Sequence, residues 1–360
     1  MSPIPAKIVS LQDYVDAAAR ALPAPTWAYL AGSGADGLTR AENRAAFDRL
    51  RLRPRVLADV AGGHTRLSLL GQSLTHPIIV APMAFHKLAH PGAEEATLLG
   101  AAARDALAVV SAQASMDMTT LADGTSGPLW FQLYLQPLRE ASLRLVRRAE
   151  AAGYRALVVT VDAPVNGIRN EEARAGFALP RGISAVNLAG LPAPESPPAE
   201  GGSAVFDGLM PAAPTWEDIA WLRAQTDLPI LLKGILDPDD AARAISLGAQ
   251  GVIVSNHGGR VLDSGLSALD ALPAIRAALG PQPAILMDGG IRRGTDVLKA
   301  RALGADAVLV GLPLLAALAV GGAVGVSHAL EILRTELEVA MALTGCKTLS
   351  DVSSKTLWNS

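Results

Sequence analysis

Residues 230–256, ILLKGILDPDDAARAISLGAQGVIVSN, decide the fold. Two short apolar runs, Ile230–Gly234 and Gly251–Asn256, flank a stretch, Pro238–Leu247, whose composition suits a helix. An apolar run without alternation is the pattern of a strand covered on both faces, as in a parallel sheet. The unit is strand, helix, strand.

Outward from this stretch the same unit recurs from residue 77 onward. Further apolar runs are Pro77–Ala84, Ala108–Ala112, Leu129–Leu135, Ala156–Asp162, Ala284–Gly289 and Ala307–Gly311, which brings the strands to eight. Helical stretches lie between them at Ala93–Asp105, Leu138–Ala152, Ser267–Ala278 and Arg293–Leu303. Eight βα units predict an α/β fold, a (β/α)8 TIM barrel, spanning residues 77–360. Most of the runs end in a group able to bind or react, and in a barrel those ends converge at one mouth. A doubly wound sheet is the alternative, but it would spread these ends along an open edge. Residues 1–76 read as an N-terminal helical cap with a possible hairpin at Leu67–Leu74.

Composition fits one such unit. Of 360 residues 50% are hydrophobic and 18% charged, with 34 glycines and 24 prolines, which excludes a disordered chain, a collagen-like chain and a coiled coil. A net charge of −3 offers no basic footprint, so nucleic acid is not expected as a partner. Cys346 is the lone cysteine, which excludes an internal disulfide and suits a reducing, cytoplasmic setting. The N-terminal residues lack the apolar region of a signal peptide. Residues 307–326, AVLVGLPLLAALAVGGAVGV, carry no charge and are long enough to cross a bilayer, yet Pro313 and four glycines interrupt them. They read better as a strand followed by a helix, with no membrane involved. The segment 182–214, containing PAPESPPAEGGS, is a loop insertion that could be a mobile lid or an ordinary surface loop.

Three windows carry chemistry. Val254–Asp263, VSNHGGRVLD, places an imidazole and a guanidinium on one tight turn directly after a strand. His257 there suits a base, and the fork of Arg260 suits a carboxylate. Ile285–Thr295, ILMDGGIRRGT, leads a glycine-rich turn into a helix, a ready phosphate site in the loops where barrels often place one. Thr160–Arg169 supplies Asp162 at a strand end and a second arginine, Arg169. A carboxylate near the histidine would orient the imidazole and stabilise its charged form; otherwise Asp162 is a helix cap. His86 and His90 have helical metal-ligand spacing but no third ligand, so no metal is expected, and His64, His76 and His328 read as structural.

At these residues the chain resembles the FMN-dependent 2-hydroxy-acid oxidases and dehydrogenases. The likeness runs from Tyr29–Gly32 and Ala41-Glu-Asn-Arg44 through SNHGGRVLD and DGGIRRGTDVLKA to Met341–Cys346, nearly the whole chain. The resemblance implies that His257 is the catalytic base with Asp162 its partner. Arg169 and Arg260 would hold a substrate carboxylate, with Tyr29 and Tyr134 contacting the carboxylate or hydroxyl. For FMN, Pro82, Met83 and Ala84 would lie along the isoalloxazine, and Ser111, Gln132 and Thr160 would bond its polar edge. Lys233 would stabilise negative charge near N1 and O2. Ser255, Asp288, Gly289, Gly290 and Arg292 would hold the ribityl chain and phosphate, and Gly311 would also bind the cofactor.

The implied activity is oxidation of a small (S)-2-hydroxy acid to the 2-oxo acid, with O2 as electron acceptor and hydrogen peroxide as product. Alternatives are a mandelate-like dehydrogenase using another acceptor, or a flavin-binding protein with weakened cofactor retention. Family members are commonly homotetramers or homo-octamers. One departure stands out: the family's Gly-Arg-Pro after the eighth strand, its arginine on the phosphate, is here Gly311-Leu312-Pro313. FMN should therefore bind but leave more easily. The segment Ser111–Ser115 also lacks the tryptophan of glycolate oxidase, which points to a side chain larger than that of glycolate, aromatic or branched.

Overall fold

The computed structural model describes residues 4–191 and 202–358. Eight parallel strands close into a barrel: β3 (Ile78–Val80), β4 (Ala108–Ser111), β5 (Leu129–Leu133), β6 (Leu157–Thr160), β7 (Ile230–Ile235), β8 (Gly251–Val254), β9 (Ala284–Met287) and β10 (Ala307–Val310). They neighbour one another in chain order, and β10 pairs back onto β3 through Val308–Ile78, Leu309–Ile79 and Val310–Val80. The helices that follow them include α4 (Ala93–Ala102), α5 (Met118–Asp123), α6 (Arg139–Ala151), α7 (Asn170–Arg174), α8 (Trp216–Arg223), α9 (Pro238–Ser246), α10 (Ala268–Leu279), α11 (Gly294–Ala302) and α12 (Leu312–Leu343).

Successive side chains of a strand point to opposite faces, and here both faces are buried, which is why the runs show no alternation. Ile79, Val109, Trp130, Val158, Leu231, Ile253, Leu286 and Leu309 form an inner core. Their neighbours Ile78, Val110, Phe131, Val159, Leu232, Val254, Met287 and Val310 pack outward against the helices.

Stepping by two from the inner core towards the C-terminal ends, the inward positions become Ser111, Gln132, Thr160, Lys233, Ser255 and Asp288. One step further the same parity gives Tyr134, Asp162 and His257. The inner layer thus changes from apolar to chemical along every one of these strands. The hydrogen-bonded ladders stop earlier than the apolar runs, at Val80, Thr160 and Val254, so Pro82, Asp162 and His257 stand in the loops above the last paired residues.

Ahead of the barrel come α1 (Leu11–Ala21), α2 (Ala24–Ala31), α3 (Leu38–Arg49) and an antiparallel hairpin of β1 (Leu67–Leu69) and β2 (Gln72–Leu74). Leu69 and Leu74 of the hairpin complete the inner core and plug the N-terminal end of the barrel. The N-terminus of α3 lacks a cap from its own Gly37; Asp263 accepts from Thr39 N at 2.8 Å and Asp36 N at 3.0 Å instead.

The long uncharged run resolves into β10 and α12. Gly322, at φ 55° and ψ −142°, breaks α12 into two parts, and the helix packs on α1, α4 and α11. Among the described residues it is the one helix long and apolar enough to cross a membrane, and 56% of its most apolar window is buried inside the protein. Within the insertion at 182–214, residues 192–201, which hold most of its prolines, lie outside the described residues.

Candidate active site

The mouth of the barrel is ringed by hydrogen bonds that pass from strand to strand. Ser111 Oγ donates to Gln132 Oε1 and Gln132 Nε2 donates to Thr160 Oγ1, both at 3.0 Å, which ties β4, β5 and β6 together. Across the mouth Lys233 Nζ donates to Ser255 Oγ at 3.0 Å and pairs with Asp288 Oδ2 at 3.0 Å, linking β7, β8 and the end of β9. Burial opposes the charge of Lys233, but Asp288 and Asp162 more than offset it, so the ammonium holds its proton above the ordinary lysine value.

His257 follows directly. Its backbone N–H donates to Ser255 Oγ at 3.0 Å, and its φ of 58° turns the ring back over the mouth. Nδ1 lies 2.9 Å from Asp162 Oδ1. An ionised carboxylate only accepts, so Nδ1 carries the hydrogen and Nε2 keeps its lone pair. Burial pushes the Asp162 carboxyl up, whereas the His257 bond and the Lys233 charge pull it down harder, leaving it below the usual carboxylate range. Gly234, at φ 106°, packs against Asp162 so closely that a side chain there would displace the carboxylate.

The two arginines differ. Arg260 donates from Nη1 to Leu30 O at 3.2 Å and Gly32 O at 2.6 Å, and from Nη2 to Tyr29 O at 2.8 Å. These carbonyls end α2, where the helix dipole also favours a cation. Burial first, then Arg169, lowers Arg260 to about 10, so it stays charged at neutral pH. Arg169 faces Glu172 at 3.5 Å; Arg169 Nε and Glu172 Oε2 are both buried without a hydrogen-bond partner. A guanidinium edge left open beside a second guanidinium is a place for a small carboxylate. The Tyr29 ring sits beneath Arg260 and stacks on Phe177 with centroids 4.4 Å apart, while Phe85 lies 6.3 Å away. Burial raises the phenols of Tyr29 and Tyr134 and keeps them protonated.

The glycine-rich window after β9 forms a turn with Gly289 and Gly290 at φ 93° and 82°, a conformation natural only for glycine. Arg292, half-buried beside it, is lowered to about 10 by burial and then by Arg40 and Arg44, and among the described residues its one side-chain bond is to the carbonyl of Ile291. A half-buried guanidinium with no carboxylate partner among the described residues suits an anionic ligand. Asp162 Oδ2 and Asp288 Oδ1, on residues at the same mouth, are buried without a hydrogen-bond partner among the described residues. Hydroxyl and amide groups on one side, a lysine in the middle and a cationic glycine loop on the other suit the polar edge, the reducible ring and the phosphate of FMN. The residues present fit that cofactor.

The structure brings the expected residues to one mouth and adds some that no motif had singled out. Phe177, from the loop after α7, is one and Glu172 another; both follow Arg169 within eight residues, and proximity to that arginine was the available signal. Four histidines outside the site have other partners: His86 Nδ1 lies 2.8 Å from Thr97 Oγ1, His76 Nε2 3.0 Å from Arg104 O, His328 Nδ1 2.9 Å from Tyr14 Oη, and His90 Nδ1 accepts from Gly92 N at 2.9 Å, whereas His64 Nδ1 is buried without a hydrogen-bond partner among the described residues. Among the described residues no group of three His, Cys, Asp or Glu side chains could hold a metal.

A closed (β/α)8 barrel with a histidine–aspartate pair, two arginines and an anion loop at its mouth belongs to the class of cofactor-dependent barrel enzymes that act on small carboxylates. A family model described as FMN-dependent dehydrogenase matches residues 18–359. Over 347 residues the chain is 51% identical to an L-lactate oxidase of Roseobacter sp. (strain GAI101), covering 96% of this chain and 93% of the relative. It is 43% identical over 349 residues to the peroxisomal (S)-2-hydroxy-acid oxidase GLO4 of Oryza sativa subsp. japonica, covering 96% and 94%. A solved structure of mandelate oxidase with benzoyl-formic acid superposes with a TM-score of 0.88 at 40% identity, covering 98% of each chain. This chain belongs to the FMN-dependent dehydrogenase family, and FMN is its cofactor.

Proposed function

We propose that the protein oxidises an (S)-2-hydroxy monocarboxylic acid with an apolar side chain to the 2-oxo acid. O2 is the terminal acceptor: hydroxy acid and O2 give 2-oxo acid and hydrogen peroxide. The observation that carries this reading is the His257–Asp162 pair, at 2.9 Å, on a mouth that also presents Arg169 and Arg260. The relatives named L-lactate oxidase and (S)-2-hydroxy-acid oxidase support it.

FMN supplies the two-electron acceptor. Ser111, Gln132, Thr160 and Lys233 would hold its ring, with Pro82, Met83 and Ala84 alongside. Ser255, Asp288, Gly289, Gly290, Arg292 and Gly311 would hold the chain and phosphate. The open edge of Arg169 and the remaining donors of Arg260 bind the substrate carboxylate, while Tyr29 and Tyr134 offer protonated phenols to its polar end. Nε2 of His257 removes a substrate proton, from the α-carbon or from the hydroxyl, and Asp162 stabilises the imidazolium that results. The aromatic faces of Tyr29, Phe177 and Phe85 favour an apolar substituent.

The test is anaerobic addition of glycolate, L-lactate, L-2-hydroxyisocaproate and (S)-mandelate to the loaded enzyme. Bleaching of the flavin band by L-lactate or the larger acids, followed by peroxide formation on admitting air, is expected. Bleaching by none of them refutes the reading, and bleaching without peroxide turns it into a dehydrogenase. The same proposal sets the enzyme in the cytoplasm as a homotetramer or homo-octamer. Exposed Leu38, Ile168, Leu262 and Leu266 are available to a subunit contact.

A further inference from the structure

The residues Ala41–Arg44 carry part of the family likeness, yet binding and chemistry assign them nothing. Asn43 is buried on α3, and it exchanges two amide hydrogen bonds with Asn256, Nδ2 to Oδ1 at 2.8 Å in each direction. Asn256 Oδ1 also accepts from Gly259 N at 3.0 Å, Asn256 Nδ2 also donates to Leu266 O at 3.0 Å, and Asn43 Oδ1 accepts from Ala268 N at 3.4 Å. These bonds hold both flanks of His257, the next residue in the chain, whose left-handed φ has to be maintained.

Arg44 serves the other loop. Nη1 donates to Gly290 O at 2.9 Å and Asp296 Oδ2 at 2.6 Å, and Nη2 to Asp296 Oδ1 at 3.0 Å. Asp296, 1% exposed, in turn accepts from the backbone N–H groups of Arg292 at 2.9 Å and Arg293 at 3.0 Å. A side chain on Gly290 would collide with the carbonyl oxygen of Asn43, so α3 also sets the floor of this turn. Adjacent residues on a helix point roughly 100° apart, which lets one turn reach two loops.

We propose that Asn43 and Arg44 are positioning residues with separate tasks: Asn43 sets the catalytic base through Asn256, and Arg44 sets the loop that receives the FMN phosphate. This rests on the proposed function for the role of His257 and on the family for FMN. Helix α3 then carries, on adjacent residues, one support for the base and a separate one for the phosphate loop.

The test compares Arg44→Lys, which keeps the charge and loses the fork, with Asn43→Ser, which removes the reciprocal amide. Three readouts are taken: the FMN dissociation constant from fluorescence quenching on titrating apoprotein, the His257 Hε1 titration by NMR, and the anaerobic reduction rate at saturating FMN. Arg44→Lys is expected to weaken FMN binding at least tenfold while leaving the His257 titration and the reduction rate within twofold. Asn43→Ser is expected to displace the His257 titration and slow reduction at least tenfold while leaving FMN binding within threefold. Both variants changing all three readouts together, in step with a loss of melting temperature, overturns the proposal in favour of mere structural support. None of the three readouts moving in either variant overturns it as well. If the parent binds FMN and no 2-hydroxy acid reduces it, the proposed function fails, while binding and NMR still decide this one.

Discussion

Replacing Asp162 with Asn keeps the shape of the side chain and removes its charge, so it isolates what the carboxylate does for His257. In the parent the carboxylate accepts from Nδ1 at 2.9 Å, which leaves Nε2 free to take a proton. An asparagine amide can instead donate to Nδ1, moving the ring hydrogen to Nε2 and occupying the base. Exchanging a charge-assisted hydrogen bond for a neutral one costs about 1–1.5 kcal/mol, roughly tenfold in rate. The change of tautomer adds to that, so flavin reduction is expected to slow by about two orders of magnitude.

FMN binding should survive, because Lys233 retains Asp288 at 3.0 Å and Ser255 at 3.0 Å. Stopped-flow reduction by the best substrate of the panel, alongside the visible spectrum of the bound flavin, measures both. His257→Gln supplies the control: if Asp162 acts through the imidazole, the double variant is no slower than His257→Gln alone. A reduction rate for Asp162→Asn within threefold of the parent, with flavin bound, would refute the pairing as a working part of the base.

Two further predictions concern the loops around the site. Leu312 is the first residue of α12 and carries no charge where the family has a phosphate-binding arginine, so Leu312→Arg should tighten FMN about ten- to hundredfold, the equivalent of about 1.5–3 kcal/mol. Retention of flavin through gel filtration reads this directly, and an unchanged profile sinks it. Asp263, held at about 2 chiefly by the N–H of Thr39, contributes to stability above its unfolded value near 3.8, and the contribution disappears as pH falls through the folded value. Asp263→Ala should cost about 1 kcal/mol at pH 7 as the loss of a helix cap, and the deficit should close between pH 3.8 and about 2; a deficit that persists in acid contradicts the assignment.

The barrel was legible because its strands are buried on both faces and therefore spell out as uninterrupted apolar runs. The site was legible for a related reason: the inward parity of each run, carried two or four residues past its last apolar side chain, lands on Ser111, Gln132, Lys233, Asp288 and His257. What stayed hidden is contact with main-chain atoms and with distant segments. The carbonyls of Tyr29, Leu30 and Gly32 that hold Arg260 lie more than 220 positions away and carry no side-chain signature. The same holds for Asp263, which stands in a motif read for its histidine and arginine but works as the cap of α3.

These hidden contacts change the standing of the first 76 residues. Read as a cap ahead of the barrel, they offered the chemistry Tyr29 alone. Yet α2 contributes Tyr29 and the carbonyls on Arg260, and α3 contributes the side chains that hold the loops of His257 and Gly290. The barrel's own C-terminal ends supply the reactive groups, whereas the conformations of the two glycine-rich turns that present them are fixed in part from outside the barrel. A barrel truncated before residue 77 would keep every strand and lose the partners that aim the base and shape the anion loop.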